Sequence, residues 1–371
     1  MSNRRWLAGP WPLACLTLLA LALPVLLSGC SRSGGGGPAP GPVGPVGDWG
    51  PIPPGPRGPG TVAIAASRTI EVRNVGGERT QTLRASVPFS WGETSDPNLF
   101  SIEGRPTAWL VLQRWPDRTV RIAQAQWTET VPAAATLTRA VVAQPTALAG
   151  PFVPHAVFAG GLPELGAEVQ DAFGVVYDAA VAGPGDVVQE TPLVRVRRWR
   201  VYHTAATGGI GRDFLTSTFY VTELRDQPVA IVDWLPGNDY LGADAPGSAD
   251  PNLHALGGVD VDDVSFRCRG VDLTLPYRAG AEGVAAGVNG VDGYTRFSAM
   301  QQTWIADGQM RRYRFLLLRD DPAANAGARA AARATATLMA EQPLRPLCDH
   351  DSLRVTAALG LLGGPGPAPA D

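Results

Sequence analysis

Lysine is absent from this chain of 371 residues, so its 31 strongly basic side chains are all arginines. That excludes a lysine nucleophile, Schiff base or general base. Cysteine and histidine are scarce, at four each, and Asp plus Glu, at 34, outnumber the arginines for a net charge of −3. A chain on the acidic side of neutral is a poor partner for nucleic acid. Gly-x-Ser-x-Gly, His-Glu-x-x-His and phosphate-loop patterns are also missing, so no motif declares a catalytic apparatus. The histidines His155, His203, His254 and His350 are scattered and read as structural.

What is present begins with an export signal. Arg4 and Arg5 precede an uncharged run that starts near Leu13 and ends at Leu26-Leu27-Ser28-Gly29-Cys30, the order of a secretory signal peptide. Its ending resembles the lipobox of bacterial lipoproteins, which implies that Cys30 is acylated and becomes the first mature residue. The chain is then exported and anchored to the lipid bilayer of a cell membrane or outer membrane. Trp11 to Gly29 is nearly long enough to span a bilayer, but Pro12 and Pro24 weaken an uncleaved anchor and the small residues before Cys30 favour cleavage. Arg4-Arg5-Trp6-Leu7 matches only part of a twin-arginine signal.

Residues 1–29 are thus the signal peptide and 30–60 a Gly/Pro-rich tether too poor in large apolar side chains to fold alone. Fully extended in polyproline II form it would reach about 90 Å, against about 30 Å as a coil. Its glycine period breaks before Gly55, which argues against a triple helix.

From Thr61 the texture changes to short Val-, Ile-, Thr- and aromatic-rich runs separated by Gly, Pro, Asp and Asn. This predicts an all-β fold. Strands are expected over 61–66, 69–74, 79–87, 107–115, 118–128 and 135–143, and after a looser stretch over 193–203, 213–224, 229–234, 259–267 and 270–277. Two hairpins are expected, one turning at Trp115-Pro116-Asp117 and one, from 294–305 to 310–318, at Asp307-Gly308. A helix is predicted over 322–341, capped by Asp321 with Pro322 at its first position, and a second from Asp351 to Leu362. The end of the chain, 363–371, has linker composition.

Pro88-Phe89 with Gly92, Asn98-Leu99-Phe100, Gly104-Arg105-Pro106 and above all Arg114-Trp115-Pro116-Asp117 before an alternating strand resemble the N-terminal domain of exo-rhamnogalacturonan lyase-like proteins. Arg118 stands where that pattern usually has glycine. The resemblance implies a RIFT-type β-barrel over 61–145 and a β-sandwich over 146–320, and the helix signals add a short helical segment over 321–362. In that family catalysis belongs to a following α/α-toroid, and this chain stops where the toroid should begin. Two readings follow: a non-catalytic lipoprotein that binds carbohydrate or another envelope component, or the leading part of a polysaccharide lyase or hydrolase.

Three groups of residues are candidates for chemistry. On an extended strand Arg195, Arg197 and Trp199 project from one face and Arg198, Arg200 and Tyr202 from the other. Guanidinium groups beside an aromatic plate suit an acidic polysaccharide, and a solvated strand paired with acidic neighbours explains them equally. Asp233, Asn238, Asp239, Asp244, Asp250 and Asn252, followed by Asp260, Asp262 and Asp263, offer oxygens of the kind calcium uses. Their spacing matches no calcium loop and Asx-turns account for them, so no cofactor is expected, with calcium as the alternative. Cys268 and Cys348 remain after export and form a candidate disulfide, worth up to about 4–5 kcal/mol over such a separation; alternatively Cys268 is a small buried hydrophobe on one face with Val264 and Phe266.

Overall fold

The computed structural model describes residues 68–144, 148–206, 212–238, 259–278, 283–306 and 308–349, together with Ser352 and Thr356. The signal peptide, Cys30, the tether, the expected strand 61–66, most of the expected helix from Asp351 and the tail 363–371 lie outside the described residues.

Six strands come first: β1 (Arg68–Arg73), β2 (Arg79–Pro88), β3 (Ser101–Ile102), β4 (Ala108–Arg114), β5 (Val120–Val131) and β6 (Thr136–Val142). They form two small antiparallel sheets, one in the order β2-β5-β4 and one in which β6 lies between β1 and β3. Alternation places Leu83, Ala85 and Val87 of β2, Ala123, Ala125 and Trp127 of β5, and Ile70 and Val72 of β1 in one shared core. The expected hairpin at Trp115 is present. Trp115 N donates to Thr119 O at 2.8 Å and Arg118 N to Trp115 O at 2.9 Å, a turn that needs a left-handed residue in its fourth place. Arg118 takes that place with φ +69°.

Eleven strands follow: β7 (Glu164–Asp171), β8 (Val176–Ala180), β9 (Asp186–Glu190), β10 (Val194–Ala205), β11 (Arg212–Leu224), β12 (Val229–Asn238), β13 (Val259–Arg269), β14 (Leu273–Pro276), β15 (Val288–Asn289), β16 (Thr295–Ile305) and β17 (Tyr313–Leu318). They run in the order β14-β17-β12-β11-β10-β8-β7-β13-β16-β15, with β9 beside β10. Only the end of β10, through Thr204 and Ala205, pairs with β8, so the ladder folds over there and its halves face each other. Phe266 of β13 stacks on Phe315 of β17 at 4.1 Å between ring centroids and 13° between planes. Trp234 packs beside both.

The strand hairpin expected at Asp307-Gly308 is not formed. β16 pairs with β13 and β17 with β12 and β14, so the turn carries the chain from one layer to the other. Each strand buries apolar side chains in the shared core from opposite sides, which outweighs local pairing. Asp307 itself lies outside the described residues.

Helix α1 (Ala326–Glu341) begins later than expected. Asn325, not Asp321, caps it, accepting from Ala328 N at 2.8 Å, while Asp321 holds a turn by accepting from Ala323 N at 2.9 Å. Ala336, Met339 and Ala340 pack against Leu316 and Leu318 of β17 and Val229 of β12. The outer face of the sandwich is therefore covered, which is why Tyr313–Leu318 is apolar on both sides. After the helix, β18 (Pro346–Cys348) pairs with β1 and brings the end of the described chain back to the first sheets.

That return also decides the cysteines. Cys268 is fully buried in the sandwich core, its Sγ 3.1 Å from Thr274 Oγ1, whereas Cys348 lies on β18 beside β1. The two are free thiols, not a disulfide.

Candidate functional site

The arginine stretch of β10 is largely committed to the protein itself. Arg195 grips Glu223 through Nε and Nη2, both at 2.9 Å, and lies over the Phe152 ring. Arg197 donates to the same carboxylate at 2.9 Å and to Pro184 O at 3.1 Å. Trp199 is 7% exposed and donates to Gly183 O. Gly185, at φ +72°, lies so close that a Cβ there would meet the indole at 2.3 Å. Little of the ring is therefore open to solvent. Arg198 pairs with Asp186 at 2.9 Å in solvent, and Arg200 lies over the half-exposed Tyr202 ring at 5.8 Å.

The acidic loop is likewise dispersed. Asp233 binds arginines, Asn238 Nδ2 donates to Ile305 O at 3.3 Å, and Asp263 accepts from Ser265 and Ser298. Asp260 and Asp262 are exposed on β13, and Asp239, Asp244, Asp250 and Asn252 lie outside the described residues. Among the described residues no three metal-ligating side chains converge. His155 caps a short turn at Val157 and His203 is buried against Ser217; His254 and His350 lie outside the described residues.

The arginines that do converge are others. A cleft of about 510 Å³ opens between β2, the outer face of the sandwich and the segment from α1 to β18. Arg84, Arg278, Arg312, Arg314 and Arg345 line it with Tyr277, and no acidic side chain is among the described lining residues. A second hollow of about 340 Å³ adjoins it, sharing Arg84, Pro346 and Leu347.

Each element has a local reason to point there. Strand alternation sends Arg312 and Arg314 to the face opposite the core residues Tyr313 and Phe315. Arg278 follows β14, is held by its N–H on Ala340 O at 3.0 Å, and has φ +49°. Thr82 N and Thr80 O on the open edge of β2 are satisfied by the Gln227 amide at 3.1 and 3.2 Å, which leaves the outward residue Arg84 beyond that plug facing the cleft.

The charge balance is uneven. Asp233, set behind the cleft, holds Arg314 at 2.7 and 3.0 Å and Arg312 at 2.8 Å. Arg84 has no hydrogen bond or ion pair with any described residue, and burial, then Arg314, lowers its pKa from the ordinary arginine value against a smaller opposing pull from Asp233. Tyr277 is 8% exposed, its ring 5.2 Å from the Arg314 guanidinium, and its hydroxyl has no hydrogen-bond partner among the described residues. Burial raises its pKa. Buried Arg79, just behind, meets no carboxylate among the described residues and instead donates to the backbone oxygen of Gln342 at the end of α1, where the helix dipole is negative.

Sequence reasoning missed this cleft. Arg312 and Arg314 carried the same alternating signal as Arg195 and Arg197, but Arg84, Tyr277 and Arg345 are separated by up to 261 positions along the chain.

No family model matches the chain, and no curated protein matches it. Among solved structures it is similar to a protein of glycosyl hydrolase family 38 from Enterococcus faecalis, with a TM-score of 0.39 and 9% identity over 76% of this chain and 47% of that one. It is similar also to an alpha-mannosidase from Enterococcus faecalis, with a TM-score of 0.38 and 10% identity over 76% of this chain and 46% of that one. Neither is a rhamnogalacturonan lyase. The chain spans about half the length of these proteins, and a likeness of this degree fixes neither activity nor ligand.

Proposed function

We propose that this chain is an exported lipoprotein, anchored through acylated Cys30, whose β regions bind an acidic carbohydrate or other acidic envelope component without transforming it. The anchor rests on the Leu26–Cys30 motif and its preceding apolar run. The binding role rests on one observation, the half-buried Arg84 guanidinium facing an arginine-lined cleft with no described carboxylate bonded to it, since Asp233 is held by Arg312 and Arg314 and acts on Arg84 only through space. A buried cation without a partner is costly unless a ligand completes it. Arginine meets carboxylate or phosphate in paired geometry, so the completing group is an anion. The RIFT-barrel and β-sandwich resemblance of 61–145 and 146–320 agrees with a carbohydrate role.

The test is isothermal titration of the full chain in detergent with oligogalacturonate and with the neutral oligosaccharide of equal length. Binding of the acidic sugar alone, weakened by salt and lost in Arg84→Ala, is expected. Equal binding of both sugars, or an Arg84→Ala variant that binds unchanged, overturns it.

A further inference from the structure

The cleft holds its cations in two tiers. Inside, neither Arg84 nor the Tyr277 hydroxyl has a hydrogen-bond or ion-pair partner among the described residues, and Tyr277 is more than nine-tenths buried while lining the cavity. Outside, Arg278 and Arg345 are exposed on the rim, and neither pairs with a carboxylate among the described residues. Between them Arg312 and Arg314 share Asp233. One anionic group can satisfy Arg84 and Tyr277 together, since a carboxylate or phosphate accepts a guanidinium N–H and a phenol O–H at once. It cannot also neutralise the rim. Arg278 reinforces the point: its φ of +49° is a conformation most side chains avoid, held by the bond from its N–H to Ala340 O.

Resting on the acidic-ligand reading above, we propose that the cleft binds two anionic groups of one chain, the first on Arg84 and Tyr277, the second on Arg278 and Arg345. The ligand is then a repeating polyanion, and a single acid fills only half the site. Carboxylates along a glycan and phosphates along a polymer share this chemistry.

The experiment titrates the full chain in detergent with galacturonic acid against trigalacturonate, and with inorganic phosphate against tripolyphosphate. The trimer of one pair should bind at least about tenfold more tightly than its monomer, because the second contact becomes intramolecular, and the pair that shows the gain identifies the source. Arg345→Gln should lower trimer affinity by a larger factor than monomer affinity. Tyr277→Phe, which keeps the ring packing, should lower both. A trimer no tighter than threefold, the statistical factor of three equivalent groups, with monomer binding intact, overturns the two-group site alone. Absence of binding by all four ligands overturns the acidic-ligand reading with it.

Discussion

Asp233 Oδ1 accepts from Nε of Arg314 at 2.7 Å and from Nε of Arg312 at 2.8 Å, one carboxylate serving two guanidiniums. Asp233 thereby sets how positive the cleft is. Asp233→Asn should cost about 1–3 kcal/mol of stability, since it removes charge-assisted bonds from a largely buried acceptor. Arg312 is 58% exposed, so its share is small. The same variant should bind acidic oligosaccharide several-fold more tightly. Urea unfolding and titration calorimetry measure the two effects separately, and a variant that is less stable yet binds no better would deny Asp233 its restraining role.

Arg118 makes a cleaner stability test. It is exposed, and its φ of +69° costs an L-residue about 1 kcal/mol that glycine does not incur. Among the described residues, the hydrogen bonds of the turn at Trp115 use backbone atoms and the side chains of Arg114, Asp117 and Thr119, not that of Arg118. Arg118→Gly should therefore raise stability by a few tenths to 1 kcal/mol, offset in part by greater chain entropy when unfolded. Thermal unfolding decides it, and a lower midpoint would show that the Arg118 side chain contributes more than its backbone strain costs.

The strands with long apolar alternation, β1, β2, β5, β6 and β10 to β13, were legible because each buries one face of a sheet. The looser stretch from 145 to 190 was not. It holds β7, β8 and β9, whose runs are short and broken by Gly166 and by acidic residues. Gly166 is required there, since a Cβ would meet Ala179 O at 2.9 Å. The pairing of β16 and β17 was not legible because turn chemistry at Gly308 is local, whereas the choice of layer depends on Phe297 and Phe315 meeting in the core. For the site, charge alternation was visible on both β10 and β17, but only the fold shows that Glu223 answers one set and leaves Arg84 unanswered.

The free thiols give a chemical check on the fold. Burial pushes the Cys268 thiol up to about 11, so at pH 8 only about one molecule in a thousand carries the reactive thiolate there. Cys348, half-buried, is raised in the same direction by the same cause. Iodoacetamide should label Cys268 only after denaturation and Cys348 slowly in the native state. Peptide mass spectrometry of protein purified from an exporting host without reductant should show no Cys268–Cys348 linkage; a linked peptide would contradict the placement of β18.

His203 couples the sandwich core to pH. It is 1% exposed, with Nε2 bonded to Ser217 Oγ at 2.9 Å, and that oxygen also accepts from Trp234 Nε1 at 2.9 Å. Desolvation lowers its pKa from 6.5 to about 4. The folded state therefore holds His203 neutral where the unfolded chain takes up a proton. Its contribution is complete above about pH 6.5 and is lost as pH falls toward 4, by roughly 3 kcal/mol at most. Carboxylates held by arginine, such as Glu168, also lose stability in acid, so the difference between wild type and His203→Gln isolates the histidine. Gln keeps an amide near Nε2 but takes up no proton. The variant should be the less stable at pH 7.5, and its deficit should shrink or reverse by pH 4.5; urea-unfolding curves that stay parallel across that range would show that His203 does not titrate with folding.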